Sequence, residues 1–199
     1  MKLFIAITWL VLLFSGISFL FWQNEFKYTL PTPVPKRYQS VTTGSFINVS
    51  DKIKSQKGKP LFVHFFNPAC PCSRFNVPHV SSLIKKYGRS ISFAVVVLAS
   101  NEDYTEEEIQ DKFDAKIPVS FDSTIAVACG VYSTPQAVLI DTDHKLYYRG
   151  NYNKSRYCTD KNSNYAQMAI DSLINKTAKP IFAKAALKSY GCELPVCTK

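Results

Sequence analysis

The chain opens with an unbroken apolar run, Leu3–Trp22, 20 residues without a charge, about the length a helix needs to cross a bilayer. Beyond it, short apolar runs alternate with polar stretches containing glycine or proline. Ser45–Val49 reads as a leading strand and Asp51–Lys59 as a short helix or loop. Pro60–Phe66 reads as a strand and Cys72–Tyr87 as a helix closed by Gly88. Ile91–Ala99 is a strand buried on both faces, because Phe93-Ala94-Val95-Val96-Val97-Leu98 is apolar without alternation. Thr105-Glu106-Glu107-Glu108 fits a capping box that opens a helix to about Phe113. Ile117–Val119 is a short strand, and Ser123–Cys129 a short helix ended by Gly130. Ala137–Asp141 and Lys145–Arg149 flank Thr142-Asp143-His144 as a hairpin, and Ser163 caps a last helix through about Ile174. This alternation predicts an α/β fold with a central mixed sheet flanked by helices.

The pattern divides the chain into a signal anchor over 1–22, a Pro-rich spacer over 23–44, a folded domain over 45–176, and a tail over 177–199 that carries a cysteine pair. Pro31, Pro33 and Pro35 give the spacer an extended, semi-rigid backbone. Gly16 and Ser18 are small enough for cleavage after Ser18, which would release a secreted domain. Phe19-Leu20-Phe21-Trp22 carries the apolar run past that point, so the segment reads as an uncleaved transmembrane anchor. Only Lys2 precedes the run, while Lys27, Lys36 and Arg37 come after it, so charge bias does not set the orientation. An N-terminal apolar segment exports the chain attached behind it, and this places the domain on the extracytoplasmic, periplasmic side.

Lys and Arg number 24 against 15 Asp and Glu, a net charge of +9. No basic run is interleaved with stacking aromatics, so the charge reads as a solvated surface near anionic lipid and nucleic acid is not expected as a partner. Six cysteines suit an exported chain, where disulfides persist.

The chemistry concentrates in Asn67-Pro68-Ala69-Cys70-Pro71-Cys72-Ser73-Arg74. A strand that stops at a short loop and restarts as a helix puts Cys70 at the helix N-terminus, where unpaired N–H groups and the dipole stabilise a thiolate. Pro71 removes one competing donor. Strand, cysteine, two residues and a helix containing a proline resemble the active-site segment of the thioredoxin-like superfamily. Pro78 lies eight residues after Cys70, where that family kinks its helix, and His64 lies six before, where many members carry a buried polar residue. Val131-Tyr132-Ser133-Thr134-Pro135, with a strand directly after it, looks like the family's cis-proline loop. The resemblance spans roughly residues 45–176. The long Cys70–Pro135 spacing, with its insert at Asn101–Val119, resembles the membrane-tethered TlpA, ResA and CcmG-like branch.

The resemblance implies that Cys70 is the nucleophile and that Thr134 and Pro135 hold an extended partner chain beside it. It departs from the family at the resolving position, which is Ser73. A Cys70–Cys72 disulfide would be strained across one intervening residue. Without it, Cys70 is a monothiol released by Cys72, Cys129, Cys158 or an external thiol. His64 is either a proton acceptor for the resolving thiol or a satisfied core histidine. Arg74 either stabilises the thiolate or solvates the first helical turn. His79 and His144 read as surface residues and Cys129 as buried packing. Cys158 lies in a loop, 151–162, able to fold over the site. Cys192 and Cys197, with four residues between them, read as a local structural disulfide that staples the tail.

The expected activity is a membrane-tethered thiol–disulfide oxidoreductase that acts on exported protein thiols or disulfides through a mixed disulfide at Cys70. A membrane or soluble redox donor is implied, with no cofactor and no metal. Two alternatives stay open. One is a Cu(I)-binding, metallochaperone-like domain using Cys70 and Cys72 with His64 or His144. The other is a peroxiredoxin-like thiol peroxidase, against which Asn67 and Pro68 stand where that chemistry needs other residues.

Overall fold

The computed structural model describes residues 1–99 and 104–194 and forms two compact units, the first ending at Pro31. The first unit is built on α1 (Lys2–Asn24), 23 residues long and exposed along its length. At 1.5 Å per residue it spans about 34 Å, enough for the hydrocarbon core of a bilayer. It is the one helix among the described residues long and apolar enough to do so.

The second unit begins at Thr32, so the latter part of the expected spacer belongs to the compact body. Its elements are β1 (Leu61–Phe66), α2 (Pro71–Tyr87), β2 (Ser92–Val97), α3 (Glu106–Phe113), β3 (Val119–Ser120), α4 (Thr124–Ala128), β4 (Ser133–Thr134), β5 (Gln136–Ile140), β6 (Leu146–Gly150), α5 (Tyr165–Ile174), α6 (Lys184–Leu187) and β7 (Cys192–Glu193). Five strands form one mixed sheet in the order β3-β2-β1-β5-β6. β1 runs parallel to β2 and antiparallel to β5, with His64 opposite Val95 and Ala137.

Both central strands are buried on both faces, as their continuous apolar sequences require. Alternate residues of β1 feed two separate cores. Phe62 and Phe66 join Val80 and Leu83 of α2, Ile109 and Phe113 of α3, and Ala166 and Ile170 of α5. Val63 and Phe65 face the other way, onto Ile47, Val49, Ile53 and Ile125. A central sheet covered on both faces is the α/β architecture that the alternation of elements predicts.

Three local expectations need correction. Ser45–Val49 contributes an isolated bridge, Phe46 to Lys145, rather than a strand. The third strand is shifted to Val119–Ser120, because Pro118 has no N–H and joins the sheet only through its carbonyl, which accepts from Val95 N. Ser163 does not cap α5. The N-cap is Asn164, and the Ser163 hydroxyl is spent on Asn153 and Asp160 inside the preceding loop. The capping box at Thr105 and Glu108 forms as expected, with both reciprocal bonds present.

His64 is the one ionisable side chain in the middle of β1, at 1% exposure. Its Nδ1 shares a 2.7 Å hydrogen bond with the Tyr152 hydroxyl, and its ring meets Phe113 edge-on. Burial, with a smaller contribution from His79, lowers its pKa to about 3. The unfolded chain therefore takes up a proton near pH 6.5 that the folded chain refuses until about pH 3. Stability from this group is fully present above 6.5 and falls as pH drops through that window, by at most about 1.4 kcal/mol per pH unit. His64→Leu should flatten the acid limb of a denaturant-midpoint-against-pH curve between pH 6 and 4, whatever it does to stability at neutral pH. An unchanged slope would show that His64 is not held neutral. Phe113→Ala, which empties the contact between α3 and β1, should cost about 3–5 kcal/mol in equilibrium unfolding.

Candidate functional site

Cys70 occupies the N-cap of α2 with extended backbone, and Pro71 takes the first helical position. The preceding loop is closed by its own polar groups. Asn67 Oδ1 accepts from Ala69 N, Asn67 O accepts from Cys70 N, and Ser73 Oγ accepts from Asn67 N. Ser73, at the family's resolving position, thus ties the helix start to the end of β1. Cys72 is buried on the first turn of α2, and Arg74 is exposed there, the placement of a residue that solvates the turn.

Opposite Cys70 lies the expected loop. Thr134–Pro135 is a cis peptide bond, and the Thr134 carbonyl oxygen is 3.5 Å from Cys70 Sγ. One strand, β5, carries this loop into place, since β5 pairs directly with β1 from Leu61↔Ile140 to Phe65↔Gln136. Cys70, which follows β1, and Pro135, which precedes β5, both lie beyond the same end of this antiparallel ladder, Phe65↔Gln136, so the register brings them together.

The tail is where structure and expectation diverge. Cys192 is bonded to Cys70, across 122 residues, with a Cα–Cα distance of 6.1 Å that is ordinary for a disulfide. The local Cys192–Cys197 staple is therefore not formed; Cys197 itself lies outside the described residues. Cys192 and Glu193 form β7, antiparallel to β4, with Thr134 opposite Cys192 and Ser133 opposite Glu193. Gly191 makes this approach possible. A Cβ there would fall 2.2 Å from the Thr134 carbonyl oxygen, and its φ of +144° is open chiefly to glycine.

The base of the tail is tied down. Asn151 Nδ2 donates to the carbonyls of Ala185 and Lys188, Thr32 N donates to Ser189 O at 2.9 Å, and Gln136 Nε2 donates to Ser189 Oγ. Beyond Ser189, Thr32 Oγ1 reaches the Gly191 carbonyl at 3.3 Å. Under this segment, Ser133 Oγ, Thr134 Oγ1 and Gln136 Oε1 are buried with no hydrogen-bond partner among the described residues.

A polar cluster lies between α2 and the loop at 151–162. Tyr152, bonded to His64, meets His79 edge-on at 5.9 Å. His79 is half-buried, with its Nε2 enclosed, rather than the surface residue its sequence suggests. His144 is exposed in its turn, as expected. Cys158 Sγ contacts Asn76 Oδ1 at 2.9 Å, and Phe75 packs on Tyr157, so the loop does fold onto the first half of α2. Burial pushes the thiols of Cys158 and Cys129 up to about 12. Both stay protonated at neutral pH and are poor nucleophiles. An imidazole held near 3 is likewise a weak base, which favours the core-histidine reading of His64.

Sequence reasoning found Cys70 and the cis-proline loop but missed the partner of Cys70. The signal was available in two facts. Ser73 leaves Cys70 without its usual neighbour, and Cys192 comes directly after a glycine in a tail that packs nowhere by periodicity. Assigning Cys192 to its near neighbour removed it from consideration.

Comparison with known proteins agrees with this geometry. The chain is similar to proteins named thiol-disulfide oxidoreductase ResA from Bacillus cereus. One is 24% identical over 148 residues, 73% of this chain and 85% of the relative, and another is 26% identical over 152 residues with the same coverage. Its fold matches a hypothetical protein from Sinorhizobium meliloti with a TM-score of 0.62 at 17% identity, covering 79% of this chain and 96% of the other. An uncharacterized conserved protein from Geobacillus kaustophilus matches with a TM-score of 0.61 at 18% identity, covering 85% and 97%. A family model described as "Domain of unknown function (DUF6436)" matches residues 39–194. The chain belongs to that family, and it is similar to the ResA thiol-disulfide oxidoreductases in sequence.

Proposed function

We propose that the protein is a membrane-tethered thiol–disulfide oxidoreductase that acts on the cysteines of exported proteins through Cys70. The observation that carries this reading is the placement of Cys70 Sγ at the start of α2, 3.5 Å from the carbonyl of Thr134 in the cis-proline loop. The helix start favours sulfur as a thiolate, the form that attacks disulfides. The backbone of Ser133 and Thr134 offers an edge on which an extended segment can pair, and in this structure a strand of the same chain already does so.

In the reducing direction, the Cys70 thiolate attacks one sulfur of a substrate disulfide. The substrate S–S bond breaks, a Cys70–substrate mixed disulfide forms, and the other substrate sulfur leaves as thiolate and takes up a proton. A second thiol then attacks the mixed disulfide, frees the substrate and completes the two-electron transfer. Oxidation of a substrate dithiol is the same path reversed. An external dithiol protein, membrane-bound or soluble, restores the starting state. The apolar helix α1 supports tethering to lipid, with the thioredoxin-like domain on the extracytoplasmic side.

Cys70→Ser should abolish insulin disulfide reduction with dithiothreitol as donor, to the rate of the uncatalysed reaction, while leaving the fold intact by circular dichroism. Activity near wild type in Cys70→Ser would overturn the assignment of Cys70 as nucleophile and, with it, this reading.

A further inference from the structure

We propose that Cys192 is the resolving cysteine of this enzyme, delivered to Cys70 by the C-terminal strand β7, which lies in the groove that a substrate segment must use. The inference rests on the oxidoreductase reading above. Three independent features carry it.

First, Cys192 is the cysteine bonded to Cys70, while Cys72 sits on the first turn of the helix, and the thiols of Cys129, buried, and Cys158, half-buried, are both held protonated. Second, β7 pairs with Ser133–Thr134, directly before the cis-proline. That edge accepts one strand, so the tail and an extended substrate exclude each other there. Third, the tail is built as a short arm on a fixed base. Ala185, Lys188 and Ser189 are held by Asn151, Thr32 and Gln136, and the pairing strand begins just past Gly191, whose conformation lets the backbone pass against Thr134.

A fixed base a few residues away keeps the Cys192 thiol at high effective concentration beside Cys70.

The step balances. After Cys70 has formed a mixed disulfide, the Cys192 thiolate attacks Cys70 Sγ. The Cys70–substrate bond breaks, the Cys70–Cys192 bond forms, and the substrate sulfur leaves as thiolate and is protonated. Both electrons given to the substrate come from the Cys70/Cys192 dithiol, and return of β7 to β4 displaces the product segment. An external dithiol protein then reduces Cys70–Cys192.

Reduced full-length protein in detergent micelles should be mixed with a peptide closed by one disulfide, quenched in acid and mapped by mass spectrometry. Wild type should yield free dithiol peptide and the Cys70–Cys192 disulfide, with little adduct. Cys192→Ser should accumulate the Cys70–peptide adduct and turn over at least about tenfold more slowly, as loss of a tethered thiol requires. Gly191→Ala retains both thiols, and by blocking close approach to Thr134 it should lengthen the life of the adduct. Under reducing conditions wild type and Cys192→Ser should melt together, which separates resolution from folding. Turnover of Cys192→Ser at the wild-type rate without adduct would overturn the proposal and make the crosslink structural, with the oxidoreductase reading intact. Accumulation of adduct in Cys72→Ser but not in Cys192→Ser would overturn it in favour of Cys72. Absence of any peptide reduction, in wild type as in every variant, with no adduct at Cys70, would overturn both readings.

Discussion

The site depends on the antiparallel pairing of β1 with β5. β1 ends at Phe66 and leads into the loop that carries Cys70, and β5 begins at Gln136, just after the cis-proline. The register Phe65↔Gln136 therefore fixes the separation of the Cys70 sulfur and the Thr134 backbone without any direct contact having to hold them. Register is itself enforced by burial. A slip of one residue would turn Val63 and Phe65 away from the core they share with Ile47, Ile53 and Ile125 and point His64 into it.

On that frame the tail takes the unexpected role. A minimal thioredoxin-like site keeps its two thiols on one helical turn. Here the second sulfur partnered with Cys70 arrives from the other end of the chain, on a strand that pairs with the edge proposed for the substrate. Such an arrangement makes occupancy of the groove and the redox state of Cys70 parts of one equilibrium. In the oxidised state β7 occupies the edge at Ser133–Thr134, so on the proposed reading a substrate gains access only as the crosslink is opened.

Much of the scaffold was legible because it rests on local rules. Unbroken apolar runs mark β1 and β2, the capping box at Thr105 marks α3, and the turn at Thr142-Asp143-His144 marks the β5–β6 hairpin. The errors lie where a long-range partner decides. Ser163 looks like a cap until Asn153 and Asp160 claim its hydroxyl. β4 and β7 are two residues each and exist only because they find each other across the chain. The site was half legible for the same reason. Cys70 and Pro135 are announced by their immediate neighbours, whereas the pairing of Cys192 is written in no window of sequence that contains it.

Disulfide mapping of the protein isolated under acid quench and alkylation, from cells grown aerobically, tests the central claim most directly. The account predicts a crosslinked peptide pair containing Cys70 and Cys192. A Cys70–Cys72 ring, or a Cys192–Cys197 staple beside a free Cys70, would contradict it.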